Sequence, residues 1–217
     1  MFKRKNIYYV MIIVFLLGLS ACTTVNPAEE IYNHLEKAVS LEAGFEAQQA
    51  PLSKAENEEY ELYDEILKLS ELDEINNLVT EVEELALSRK EMIEKEKESI
   101  QEAYDEFLHI NPIVETIEDE ELLTLANELI STMENRFETY NELYNVYKAS
   151  IDLDLELYSL VKSEDLTIEE LEMMHDEVNA SYMQVNDLKE KFNEYTLKYN
   201  DIKRDFYKLG DLNVSYN

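Results

Sequence analysis

The sequence predicts an all-α fold, an elongated antiparallel up-and-down bundle of about four long helices, with the first kinked or broken at Pro51. Three observations carry this. Breakers are scarce: the glycines are Gly18, Gly44 and Gly210 and the prolines Pro27, Pro51 and Pro112, and these are the residue types that end helices. Apolar residues recur three and four positions apart, the spacing of one helix face. Capping residues stand where the periodic runs begin.

The first helix starts with Asn26 as N-cap, Pro27 at the first helical position and Glu29 reaching back as in a capping box. Its stripe is Ile31, Leu35, Ala38, Leu41 and Phe45. Pro51 interrupts it, and Ser53 with Glu56 offers a second box for a restart through Tyr60, Leu62, Tyr63, Ile66 and Leu69. Were Pro51 to redirect the chain, five shorter helices would result; a three-helix, spectrin-like packing is the other alternative.

Residues 70–73 read as a turn. The second helix carries Ile75, Leu78, Val82, Leu85, Ile93, Ile100, Tyr104, Phe107 and Ile110, and Pro112 closes it. Its middle, Ser88 to Ser99, is nearly all charge, and Arg89 and Glu96 stand where the stripe expects apolar residues. Thr116 caps the third helix, with Asp119 at its third position. From Ala126 the spacing is strict: Ile130, Met133, Phe137, Tyr140, Tyr144, Tyr147 and Ile151, a coiled-coil or bundle seam. Thr167 and Glu170 form a further capping box before the fourth helix, whose inner face runs from Leu171 to Leu209 and stops at Gly210. Segments of roughly 40 residues at about 1.5 Å each give rods of roughly 60 Å. Short loops make neighbours antiparallel. The bundle domain is thus 27–210, followed by a loose tail, 211–217.

Lys3, Arg4 and Lys5 precede an apolar run from Ile7 to Leu19 that is too short to span a bilayer, the pattern of a secretory signal. It ends in Leu19-Ser20-Ala21-Cys22, a lipobox. Cleavage between Ala21 and Cys22 would remove residues 1–21. The Cys22 sulfur would carry a diacylglyceryl group as a thioether, and 22–26 would be a short tether. The expected place is extracytoplasmic, anchored to the outer leaflet of the cytoplasmic membrane. Cys22 is the only cysteine, so the chain has no internal disulfide and no thiol for catalysis.

The whole chain carries a formal charge of −30, and the leader holds three basic residues and no acid, so the remainder stands at −33. That excludes nucleic acid as a partner and polypeptide lying on anionic lipid headgroups. Catalytic constellations are missing as well. His34, His109 and His175 are isolated in sequence, with no metal-ligand spacing, so neither a metal nor a catalytic residue is assigned. Asp152, Asp154 and Glu156 lack the turn glycine of a calcium loop and read as a solvated face. The basic clusters Arg89, Lys90, Lys95, Lys97 and Lys198, Lys203, Arg204, Lys208 read as salt-bridged helix faces. Tyr140, Tyr144, Tyr147, Tyr195 and Tyr199 fall at seam spacing, where an aromatic core residue is the usual explanation. Tyr32, Tyr60 and Tyr207 are placed less firmly and are the candidate exposed ligand contacts.

Several phrases have a familiar form: His34 to Glu42 (HLEKAVSLE), Lys95 to Ile100 (KEKESI), Tyr144 to Ile151 (YNVYKASI), Asp165 to Glu172 (DLTIEELE) and Phe192 to Phe206. With the lipobox they resemble the YkyA-type family of cell-wall-binding lipoproteins of Gram-positive bacteria, over essentially the whole mature chain. The resemblance implies an all-helical extracytoplasmic lipoprotein and supplies no catalytic residues. The expected function is a non-enzymatic binding role at the cell wall, with no cofactor beyond the covalent lipid. The alternative is a protein–protein adaptor or regulator of an envelope enzyme. Wall teichoic acids are anionic, so direct binding would need bridging divalent cations, a local basic patch, or a glycan contact that outweighs the repulsion.

Overall fold

The computed structural model describes residues 26–212, so the leader, the Ala21–Cys22 cleavage site, the lipid anchor and the end of the tail lie outside it. Its helices are α1 (Pro27–Leu41), α2 (Ala43–Ile66), α3 (Leu72–Phe107), a 3₁₀ turn (Leu108–Ile110), the short α4 (Asn111–Val114), α5 (Glu120–Leu160) and α6 (Ile168–Leu209). The bent α1–α2 rod packs on α3, α3 on α5, and α5 on α6, which makes four long rods of alternating direction. Among the described residues, two hydrophobic clusters draw on side chains from Ala28 to Leu212. The cluster nearer the chain entry centres on Ile31, Leu35, Phe107, Leu129 and Phe206; the other centres on Val79, Ile93, Tyr140, Ile151 and Phe192.

The first rod is bent, but its interruption falls at Glu42, while Pro51 lies inside α2. Ser99 of α3 is the cause. Its hydroxyl donates to the Leu41 carbonyl at 2.6 Å and accepts from the Phe45 N–H at 3.0 Å. Those are the two backbone groups that a continuous helix would join, and an inserted side chain is a recognised origin of a bend. Gly44 admits it, since a Cβ there would stand 3.0 Å from Ser99 Cβ.

Three other helix ends differ from expectation. Asn26 caps α1 as expected, accepting from the Ala28 N–H, but the bond expected from Glu29 is not made: among the described residues only Thr167 and Glu170 close a reciprocal capping box. The second long helix ends at Phe107; Pro112 opens the short α4, where its missing N–H costs nothing. Asp119 caps α5, accepting from the Leu122 N–H at 2.8 Å, while the Thr116 hydroxyl turns back to the Ile113 carbonyl. The carboxylate suits an N-terminus better, since it also meets the helix dipole.

Gly210 ends α6, but the left-handed residue is Asp211, at φ 52°. Leu212 N–H donates to the Tyr207 carbonyl and Asp211 N–H to the Lys208 carbonyl, the two bonds of a Schellman cap. Glycine at 210 serves closeness instead: a Cβ there would lie 3.1 Å from Ala28 Cβ, and the neighbour would have to give by a few tenths of an ångström. Replacing Asp211 with glycine is therefore expected to stabilise the bundle by about 0.5–1 kcal/mol by removing the left-handed cost. Urea unfolding of D211G against the parent measures it, and an unchanged or lower midpoint refutes it.

Candidate binding cleft

The charged residues that interrupt the α3 stripe point into the bundle. Arg89 is 3% exposed and sits between Glu59 of α2 and Asp154 of α5, which are 2% and 4% exposed. Its guanidinium donates to Glu59 Oε2 at 2.8 Å, Asp154 Oδ2 at 3.1 Å, and the hydroxyls of Tyr147 and Tyr182 at 3.2 and 2.5 Å. The Tyr158 hydroxyl donates to Glu59 Oε1 at 2.6 Å, Tyr182 to Asp154, and Tyr147 to Glu56. Burial raises the pKa of both Glu59 and Asp154; Arg89 and the hydrogen bonds of Tyr158 and Tyr182 oppose it. Asp154, expected on a solvated face, is thus internal, and Arg89 leaves the surface cluster. Lys90, Lys203, Arg204 and Lys208 do pair with acids on helix faces.

This network forms part of the floor of a cleft of about 620 Å³ that runs between α2 and α6. The backbones of these helices stay apart while each packs on its own neighbour. Side chains bridge the gap towards each end: Phe45 meets Phe192 edge-on with centroids 5.9 Å apart, and the Tyr63 hydroxyl bonds His175 Nε2 at 2.7 Å. From Phe45 to Tyr63 the helical rise is about 27 Å. The floor is aromatic, with Tyr140, Tyr144 and Tyr147 beside Ile93 and Leu157. One lip presents exposed Gln49, Ser53 and Tyr60; the other presents exposed Asn179, Asn186, Lys189 and Asn193. Thus most of the exposed lip is uncharged amide and hydroxyl, on a chain that carries 49 acids.

The three tyrosines proposed as exposed contacts separate. Tyr60 is 74% exposed on the lip of the cleft. Tyr32 is half-buried, edge-on to Tyr207 at 5.0 Å. Tyr207 is 1% exposed and donates to Glu36 at 2.7 Å, so it is a core residue. The reason is the approach of Gly210 to Ala28, which draws the last turn of α6 onto α1 and turns both Phe206 and Tyr207 inward. The seam tyrosines Tyr140, Tyr144, Tyr147 and Tyr199 are buried as expected, and Tyr195 is half-buried. Asn179, Asn186 and Asn193 were not singled out from the sequence; their seven-residue spacing, which keeps one helix face, is the signal that marks this lip. Their role needed the opposing α2 lip.

The described residues thus form a helical bundle with a cleft that has an aromatic floor and polar lips. No described helix is long and apolar enough to cross a membrane. The chain belongs to the YkyA family, described as "Putative cell-wall binding lipoprotein", whose profile matches residues 26–209. It is 30% identical over 215 residues to the uncharacterized lipoprotein YkyA of Bacillus subtilis strain 168, covering 98% of this chain and 96% of that one. The crystal structure of a conserved Staphylococcus aureus protein of unknown function shares the fold at TM-score 0.76 and 13% identity, covering 82% of this chain and 91% of the other.

Proposed function

We propose that this protein is a non-enzymatic envelope receptor, anchored through lipidated Cys22 to the outer leaflet of the cytoplasmic membrane, whose α2–α6 cleft binds a neutral stretch of wall glycan. The observation that carries the reading is the makeup of the cleft. Asn and Gln side chains both donate and accept hydrogen bonds, as sugar hydroxyls and N-acetyl groups require, and Tyr60 offers an exposed ring for stacking on a sugar face. The family description supports the wall as the place of action. Anionic wall polymer is disfavoured as the direct ligand, because the chain carries 49 acidic against 19 basic residues.

The test is co-sedimentation of residues 23–217 with sacculi stripped of teichoic acid. Saturable binding is expected, weakened about tenfold, or about 1.4 kcal/mol, by Tyr60→Ala and further by Asn186→Ala. Both positions are exposed, so the fold should be untouched. Binding that ignores both substitutions, or that needs teichoic acid with divalent ions, refutes the cleft as the glycan site. A cross-linked protein partner that persists after wall digestion, with no sacculus binding, favours the adaptor role.

A further inference from the structure

We propose that His34, Glu106 and His109 form a site for one divalent first-row transition ion, with zinc as the reference ion. The three lie beside the chain entry, away from the cleft, and the inference is independent of glycan binding. Although His34 lies 72 residues from Glu106 in sequence, the three converge in space: one ligand atom from each lies within 4.8 Å of the others. Glu106 and His109 share a helical face at i, i+3, the Glu-x-x-His spacing used by metal sites inside bundles. α1 brings His34 opposite, with its Nδ1 2.7 Å from Glu106 Oε1. The two imidazoles lie nearly parallel, at 8° and 5.5 Å between centroids.

The surroundings are those of a metal ligand set. His109 Nδ1 is 3.1 Å from the Glu106 carbonyl oxygen; a carbonyl only accepts, so Nδ1 carries a proton there and Nε2 is the nitrogen placed to ligate. A histidine ligand commonly has its second nitrogen held in this way. Glu106 is buried, and Lys37 Nζ holds its Oε2 at 2.6 Å, leaving Oε1 as a single fixed oxygen donor. Two imidazoles and one carboxylate suit zinc and its neighbours, whereas calcium and magnesium take oxygen ligands. Donor atoms around tetrahedral zinc stand roughly 3.4 Å apart, so the two rings must adjust: His34 Nδ1, at 2.7 Å from Glu106 Oε1, has to move out by about 0.7 Å, and donor pairs as wide as 4.8 Å have to close by about an ångström. Exposed His109 and half-buried His34 are free to do so, while Glu106 stays pinned. Three protein ligands leave the fourth position open, on the solvent side where His109 is exposed. Such an ion would tie the first turns of α1 to the end of α3.

Titration calorimetry of residues 23–217 with zinc chloride, in excess calcium to occupy diffuse carboxylate sites, tests this. That segment lacks Cys22, the one thiol that could compete. One site is expected, with His34→Ala and His109→Ala each weakening it at least about tenfold and His175→Ala leaving it unchanged. In NMR, zinc should shift the His34 and His109 imidazole resonances and spare His175. His109 is exposed, so its variant keeps the fold, and circular dichroism checks this. Absent zinc binding, weak multi-site binding indifferent to H34A and H109A, or dependence on His175 overturns the proposal.

Discussion

Replacing Arg89 with leucine is expected to destabilise the bundle by about 3–5 kcal/mol, the usual cost of leaving a buried charge without its partner. The variant strands two carboxylates, Glu59 and Asp154, that are each almost fully enclosed, and their repulsion is no longer offset. The loss should shrink in acid, because protonated carboxyls need no counterion. Converting Glu59, Arg89 and Asp154 together to leucine should recover much of it, since a buried ion cluster and an apolar replacement of similar size are often close in stability. The recovery is incomplete because Tyr158 and Tyr182 lose their acceptors. Urea unfolding of both variants at neutral and acidic pH measures this. A single variant within about 1 kcal/mol of the parent at neutral pH would show that the network is not enclosed.

Glu96→Gln should be the second large effect, and it should grow with pH. Glu96 is 6% exposed, and its pKa is pushed from 4.5 to about 7, first by burial and then by Glu56; Gln49 and Lys189 oppose the shift. Across that interval the native state holds a proton that the unfolded chain has released. Stability contributed by this group is therefore complete below pH 4.5 and lost as pH rises through about 7. The shift corresponds to at most about 3 kcal/mol. Glutamine keeps the partner at Gln49, which bonds Glu96 at 2.6 Å, and removes the charge. E96Q should match the parent at acidic pH and exceed it above neutrality. Parallel stability–pH curves for the two proteins would refute the assignment.

Ser99 illustrates why the bend could not be located from the sequence. Proline at 51 is a strong local signal, and a lone serine on α3 is none. Yet a helix accommodates one missing N–H more readily than a hydroxyl inserted into its backbone ladder from a neighbour. Arg89 and Glu96 were legible as anomalies, since charges at stripe positions conflict with burial. Their partners were not legible, because Glu59, Asp154 and Gln49 come from other helices at unrelated sequence distances. His34 and His109 are the same case: 75 residues apart, they meet because α1 and α3 run antiparallel in one register.

By itself the sequence determined the helical class, the four rods, the buried tyrosine seam and the family. These follow from periodicity, capping chemistry and scarce breakers, which act within a few residues along the chain. Tertiary structure alone decided the bend at Glu42, the burial of Tyr207, the convergence of lip amides across the α2–α6 cleft and the histidine–glutamate cluster. Each depends on the rotation and register of one helix against another, and those are set by side-chain packing between segments remote in sequence.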